Sequence, residues 1–394
     1  MKVVHIVPDA IFIDSVISFF DEIANDNLFY CIVKNRQYEL KLIKKKNRII
    51  LILENELLSV FDDKDNYDVV YFHSLPVNLY KYVIEIPNGK KVVWSSWGFD
   101  IYCSDGMFPQ ICNIDLYKPI TKSYIYPNIR KSYIKIAKQI LKKIILPVRC
   151  YSEKRQYNKK RKNAIDLQRQ VLSRIDYCST ILDVEFDIIK RYPCFNAKIL
   201  PSPYVDRIDN RSIAAMNSEC MEYILLGNSA DPSNNHLDLI SLLNKRHIKD
   251  KIYVPLAYGD AKNREYLINI LSDDENYIIQ DNFMPRDEYM NVIRDAKVVV
   301  MGHLRQQALG NIINSLLYGH KVFLYEDSIA YKFFVSKGVY VFSIDKDLCQ
   351  SEIDTPLEDY KIDYNRSFVL RNWDYDSRVE AFRKVLCEET INNK

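Results

Sequence analysis

Two segments of this 394-residue chain carry the residue types needed to hold an anion. The first is Leu226-Gly-Asn-Ser-Ala-Asp-Pro-Ser-Asn-Asn-His236. An apolar strand ends at Leu226, and Asn234 and Asn235 are both good N-cap types for a following helix. The loop between is small and polar, built from Gly227, Asn228, Ser229, Asp231, Ser233 and Asn234. Free N–H groups and the positive end of a helix dipole suit such a loop to an anion, phosphate above all. An ordinary capped turn has the same composition, and neither a G-K-[ST] loop nor a G-x-G-x-x-G is present. The second segment is His303-Leu-Arg-Gln-Gln-Ala-Leu-Gly-Asn-Ile312, which follows an apolar strand and is predicted to open a helix at Gln306. Arg305 offers a planar donor fork to a phosphate, while Gln306 and Gln307 offer amides to a base, ribose or sugar. Gly310, beside Asn311, sits inside an apolar helical pattern, where it costs up to about 1 kcal/mol against alanine. Close approach of backbone or ligand would account for it; a surface arginine beside a packing glycine is the plainer alternative.

Other strand ends add candidates. Tyr258, with Gly259, closes Tyr253-Val-Pro-Leu-Ala-Tyr-Gly and could stack on a nucleobase, although 29 tyrosines make core packing a sufficient account of any one. Glu326 ends Lys-Val-Phe-Leu-Tyr-Glu and could accept from a ribose or sugar hydroxyl. In the first half, His73 ends one strand, and the next runs into Trp97-Gly-Phe-Asp100. An imidazole and a carboxylate at adjacent strand ends are placed for general-base work, although a structural histidine and a turn aspartate would look the same. Asp63-Lys-Asp65 and Asp345-Lys-Asp347 formally read D-x-D, but such triplets recur by chance at 27% charge, and no metal site is expected.

These residues need elements to hold them, and the chain supplies a regular alternation. Apolar strands read at 2–7, 28–34, 48–53, 68–74 and 91–96, then at 221–228, 251–258, 276–283, 297–303, 321–327 and 339–344. Helical stretches in the second half read at His236–Arg246, Asn263–Leu271, Asp287–Asp295 and Gln306–Tyr318. Near-continuous apolar strands between helices predict α/β structure with parallel sheets covered on both faces. The expected architecture is two Rossmann-like domains facing across a cleft, with ligands beyond the carboxyl ends of the strands. Expected boundaries are 1–205, with a basic insert at about 130–163, then 219–370, then a C-terminal helix and tail at 371–394. Glycine is scarce at nine residues, about 2% where about 7% is usual. Six of the nine (Gly98, Gly227, Gly259, Gly302, Gly310 and Gly319) fall in or beside these strand-end segments.

The formal charge of +3 hides an asymmetry. Residues 130–163 hold thirteen Lys or Arg against the single Glu153, a net +12 that leaves the rest of the chain at −9. Within them Lys131, Lys135, Lys138, Lys142 and Lys143 lie opposite an apolar stripe at 133, 134, 136, 137, 140, 141, 144 and 145, and Pro147 stops the pattern. A basic amphipathic helix of this kind suits an anionic bilayer surface, or simply packs its apolar face on the core. No nucleic-acid motif accompanies it, so nucleic acid is not the expected partner. No apolar run approaches the roughly 18 residues of a membrane span, and the start carries no signal-peptide pattern. Nine scattered cysteines without a C-x-x-C pair argue against a zinc ribbon or disulfide scaffold and suit a reducing cytoplasm.

Taken in order, these segments resemble a known family, the bacterial TDP-N-acetylfucosamine:lipid II N-acetylfucosaminyltransferases. The resemblance rests on VVHIV with His5, YFH at 71–73, WGFDIY at 97–102, LGNSADPSNNH at 226–236, VPLAYG at 254–259, RQQALGN at 305–311 and VFLYE ending at Glu326. It implies a GT-B fold and transfer of a 4-amino-4,6-dideoxy sugar from a TDP-sugar donor, without a metal or other cofactor. The implied acceptor is a growing glycan on a polyprenyl diphosphate, in enterobacterial common antigen or O-antigen synthesis. The implied location is peripheral, on the cytoplasmic face of the inner membrane. In this reading the loop residues 227–234 named above, Tyr258, Arg305–Gln307, Gly310, Asn311 and Glu326 hold the donor. Trp97 and the basic helix serve acceptor and membrane, and Asp100 or His73 is the base if the reaction inverts the anomeric carbon; a retaining reaction needs none. Another nucleotide-sugar enzyme of this architecture, such as an epimerase, and a non-catalytic membrane scaffold are the alternatives.

Overall fold

The computed structural model describes residues 1–24, 26–63, 67–102, 104, 106–127, 147–205, 207 and 222–388, with backbone alone over 147–154. The chain divides into two compact units, one of 1–113, 147–207 and 373–394, the other of 114–146 and 208–372. Each is built on one parallel sheet, as the strand–helix alternation requires.

In the first unit β1 (Lys2–Val7), β2 (Asp26–Val33), β3 (Ile49–Leu53), β4 (Val69–Phe72), β5 (Lys91–Ser95), β6 (Tyr177–Ser179) and β7 (Lys198–Leu200) pair in the order β3-β2-β1-β4-β5-β6-β7. The central strands are buried along their whole length, from Val3 to Val7 and from Val69 to Phe72, because helices cover both faces. Helix α1 (Ile13–Asp21) turns Ile13, Val16, Ile17, Phe19 and Phe20 inward at helical spacing. A single turn, α2 (Phe99–Tyr102), follows β5, and α3 (Pro147–Arg174) leads into β6 with proline at its first position. Strands β6 and β7 were not expected from the sequence. Each has only three residues, too short for alternation to show, and they exist by pairing onto β5.

In the second unit β8 (Tyr223–Leu226), β9 (Lys251–Pro255), β10 (Tyr277–Gln280), β11 (Ala296–Met301), β12 (Lys321–Leu324) and β13 (Phe342–Ser343) pair in the order β10-β9-β8-β11-β12-β13. Its core gathers Ile224, Leu226, Leu239, Val254, Leu267, Val298, Val300 and Phe323. The connecting helices are α4 (His236–Lys245), α5 (Ala261–Leu271), α6 (Arg286–Arg294), α7 (Leu309–Tyr318) and α8 (Asp359–Asn372). Helix α9 (Tyr375–Arg383) returns to the first unit. Gly319, with φ +84°, ends α7 as a left-handed cap.

One boundary differs in a way that matters. Helix α7 opens at Leu309, three residues later than expected, because Ala308 at φ 54° turns left-handed and stops the helix from extending back. Arg305, Gln306 and Gln307 therefore lie in a strand-to-helix loop and not on a helix face. Both sheets also reverse their order at a switch point, between β1 and β4 and between β8 and β11, where doubly wound sheets bind ligands. The two anion-type segments leave β8 and β11, the two strands of the second switch point.

Candidate active site

At the carboxyl edge of the second sheet three loops interlock, and glycines decide how closely. The Gly227 N–H donates to the Val300 carbonyl (2.9 Å), and Asn235 Nδ2 donates to the Gly302 carbonyl (2.7 Å). A Cβ on Gly302 would lie 2.2 Å from the Asn234 carbonyl oxygen, so only glycine lets the two backbones pass. The third loop joins through Gly259, whose Cβ would meet the Asp231 nitrogen at 2.6 Å, and through the Ala230 N–H, which donates to the Tyr258 carbonyl. We expect Gly302→Ala to cost about 1–3 kcal/mol by forcing these backbones apart. Unfolding by denaturant measures this, and an unchanged midpoint would show that the loops can separate freely.

The 227–235 loop is closed on itself. Asn234 Oδ1 accepts from the Asn228 N–H (3.0 Å), and its Nδ2 donates to the Ser229 hydroxyl and the Asp231 carbonyl. Asp231 Oδ1 accepts from the Ser233 N–H (2.9 Å), and the Ser233 hydroxyl lies 2.6 Å from both Asp231 Oδ1 and Gln307 Oε1. The N–H groups of Asn234 and Asn235 turn back to Asp231 and Pro232. Most of the donors expected to be free for an anion are thus engaged inside the loop. Asp231, Ser233 and Asn234 shape it, and Asn228 donates from Nδ2 to the Tyr258 hydroxyl (2.8 Å), leaving Oδ1 without a partner among the described residues.

The 302–308 loop behaves differently. Arg305 is half-buried, and its guanidinium makes one long bond (3.4 Å) to the Gln306 carbonyl and no ion pair among the described residues. The first turn of α7 adds N–H groups that a helix cannot satisfy internally. His303, 3% exposed, has neither ring nitrogen hydrogen-bonded among the described residues. Burial, with the nearby Arg305 charge, holds its pKa well below the ordinary imidazole range, so it is neutral and carries one donor and one acceptor. Leaving such a buried group without a partner costs about 1–3 kcal/mol. His303 was not singled out from the sequence, where a buried histidine after a strand has no special mark. His236 packs against Gly227, and burial lowers its pKa to about 4.

The remaining candidates separate. Tyr258 is 58% exposed at the rim beside Asn228. Gln306 is buried, and Gln307 meets Ser233. Asn311 Nδ2 donates to the Tyr289 hydroxyl (2.7 Å), a bond within the protein. A Cβ on Gly310 would meet nothing within 4 Å, so protein packing does not explain this glycine. Glu326 pairs through Oε1 with Lys346 (2.8 Å), which lowers its pKa. Asp347 caps a turn by accepting from the Ser343 N–H, and Asp65 lies outside the described residues. Lys131, Lys135, Lys138, Lys142 and Lys143 also lie outside them.

In the first unit His73 and Asp100 do stand at adjacent strand ends, with their polar atoms taken. Asp100 accepts from the Leu75 and Trp97 N–H groups (3.0 and 2.9 Å) and from the Trp94 indole (2.8 Å). Burial raises its pKa against these three bonds, and it keeps some exposed surface. His73 is fully enclosed, 3.0 Å from His5 and 2.8 Å from the Tyr204 hydroxyl. Asn27 fixes the protons in this chain. Its Nδ2 donates to the Phe20 and Ala24 carbonyls, so Oδ1 must accept from His5 Nε2 (3.1 Å). His5 Nδ1 then accepts from His73 Nε2, and His73 Nδ1 accepts from Tyr204. Both imidazoles are neutral and structural in this arrangement. Trp97 meets Tyr204 edge-on, with ring centroids 5.4 Å apart.

A family model described as 4-alpha-L-fucosyltransferase, glycosyl transferase group 56, matches residues 167–359, just under half of the chain and including both loops. The fold resembles a glycosyltransferase from Rickettsia africae at 13% identity and TM-score 0.58, over 100% of this chain and 99% of that one. It also resembles HepE of Anabaena in complex with UDP-glucose, at 10% identity and TM-score 0.61 over 98% and 100%. Sucrose-phosphate synthase from Thermosynechococcus elongatus matches at 10% identity and TM-score 0.59 over the whole of both chains. With the family match across the interlocked loops and two Rossmann-like parallel-sheet units, the chain is a glycosyltransferase of GT-B fold.

Proposed function

We propose that this glycosyltransferase moves a 4-amino-4,6-dideoxy sugar, N-acetylfucosamine or a close relative, from a TDP-sugar to a polyprenyl-diphosphate-linked glycan in surface polysaccharide synthesis. The observation that carries the donor side is Arg305, a half-buried guanidinium with no ion pair among the described residues, in the loop that enters α7 at a switch point. A diphosphate supplies the negative oxygens that the planar fork of Arg305 lacks. The ordered run of motifs shared with the TDP-N-acetylfucosamine enzymes, together with the fucosyltransferase description of the matching family, supports the sugar class.

In the reaction the bond from the anomeric carbon to the β-phosphate oxygen breaks, and an acceptor hydroxyl oxygen takes its place on carbon. Negative charge grows on the departing TDP, where Arg305 and the α7 dipole receive it. The charge comes from the protein in this reading, so no metal is required and EDTA leaves activity unchanged. An inverting route also moves the acceptor proton to a base; of Asp100 and His73, only Asp100 keeps exposed surface. Anchoring at the cytoplasmic membrane face follows from the lipid acceptor. Among the described residues no helix is long and apolar enough to cross a membrane.

The test is a thermal-shift comparison of TDP, UDP, GDP and CDP. TDP is expected to raise the melting temperature most. A larger rise with UDP removes the TDP donor, and no rise with any of the four removes the nucleotide site at this loop pair.

A further inference from the structure

Outside residues 130–163 the chain has a second concentration of positive charge. Residues 34–48 hold Lys34, Arg36, Lys41, Lys44, Lys45, Lys46 and Arg48 against Glu39 alone. They form the β2–β3 connection, which is pinned by Asp9 of the β1–α1 loop and Asp14 of the first turn of α1. Asp9 accepts from the N–H groups of Lys41 (2.7 Å), Leu42 (3.0 Å) and Ile43 (3.1 Å), and from the Tyr38 hydroxyl (2.9 Å). Asp14 accepts from the N–H groups of Lys44 (3.0 Å) and Lys45 (2.8 Å). Leu40 and Ile43 anchor the connection in the core, at 7% and 1% exposure.

What this pinning holds outward is apolar and basic together. Ile11, Phe12 and Leu42 expose 58%, 56% and 45% of their surface, and the Phe12 ring reaches Trp97 edge-on at 6.3 Å. Lys41, Lys44 and Lys46 are exposed and make no ion pair among the described residues, whereas Arg36 pairs with Glu56 and Arg48 with Asp21. Single exposed apolar residues are ordinary. Three large ones on two mutually pinned segments, beside three exposed lysines with no ion pair among the described residues, make a surface both apolar and basic, the kind that marks an interaction site.

We infer that this patch docks on an anionic lipid bilayer, with Ile11, Phe12 and Leu42 entering the headgroup region and Lys41, Lys44 and Lys46 meeting anionic headgroups. Apolar tips and cations in one surface match the two attractions a bilayer interface offers, hydrophobic burial and surface potential. The aspartates reduce the entropy lost on docking, because the loops already hold their shape. This surface is separate from the basic segment 130–163, and it stands or falls independently of the donor nucleotide.

Co-sedimentation of the full chain with phosphatidylcholine vesicles, with and without phosphatidylglycerol, tests the inference. Binding is expected only with phosphatidylglycerol and should weaken with added salt. Lys41→Gln/Lys44→Gln/Lys46→Gln should lower the partition coefficient about 100-fold, roughly fivefold for each lysine. Phe12→Ser should lower it about tenfold. Both variants alter exposed side chains, and an unchanged melting temperature verifies their fold. Wild-type binding by both variants, or loss seen only in Lys135→Gln/Lys138→Gln/Lys142→Gln/Lys143→Gln, would overturn the assignment. A Phe12→Trp chain provides an independent readout: brominated lipid should quench its added emission, and no quenching beyond the wild-type chain also overturns it.

Discussion

Arg305→Ala lowers sugar transfer by about 10²–10³-fold and leaves the fold intact, the scale on which one preorganised charge-stabilising donor acts. Both halves of this expectation have a structural reason. Arg305 makes one long bond to a neighbouring carbonyl and no ion pair among the described residues, so its removal strands no carboxylate among them. Its use must lie in what binds beside it. Arg305→Lys keeps the charge and loses the planar fork, and should fall between the two. Initial rates against donor concentration, with melting temperatures measured alongside, settle the matter. Wild-type turnover in the alanine variant removes Arg305 from the site, and a large drop in melting temperature assigns it to the scaffold instead.

Acid is expected to unfold this protein steeply. Five of its six histidines are buried with lowered pKa values. Burial takes His5 to about 3 and His236 and His320 to about 4, and holds His73 and His303 well below the ordinary value. A histidine whose pKa is lower in the folded state contributes stability that is complete above its unfolded value, about 6.5. That stability is lost as pH falls toward the folded value, because only the unfolded chain takes up the proton. Each such group costs about 1.4 kcal/mol per pH unit across that window. Several together exhaust the 5–15 kcal/mol of an ordinary fold within a few pH units. The His5–His73 pair shows the mechanism, since a proton on His5 Nδ1 would set two donors face to face at 3.0 Å. Melting temperatures should be flat above pH 7 and fall sharply from pH 6.5 toward 4.5. A flat curve over that lower range means the buried imidazoles are not held neutral.

Much of the frame was legible because its determinants are local. Near-continuous apolar runs such as KVVHIV, DVVYF and KVVVM can be buried only in a sheet covered on both faces, and the helical patterns between them make the strands parallel. The scarcity of glycine likewise points to where the chain must pack closely: at Gly259 and Gly302 backbones touch, and at Gly227 the His236 and Asn234 side chains take the space of a Cβ. Strands β6 and β7 left no such mark, because three residues pairing at a sheet edge need no pattern of their own. The Gln306 start expected for α7 failed for a related reason: nothing in Gln-Gln-Ala-Leu announces that Ala308 is left-handed.

Residue types and their order by themselves determined the fold class and the two loops from which a site could be made. Which of the two keeps its donors free was decided by the tertiary structure alone. The 227–235 loop has the better anion-binding composition, yet its groups bond to one another, to Val300 and to Tyr258. The 302–308 loop leaves Arg305 and His303 without equivalent partners among the described residues. The same holds for Asp9, an unremarkable loop acid until residues 41–43 arrive to be pinned. A hydrogen-bonding group is free or engaged according to what lies within about 3 Å of it. Those neighbours come from strands some seventy residues away for Gly227 and from a loop some thirty residues away for Asp9, and no local pattern in the chain records them.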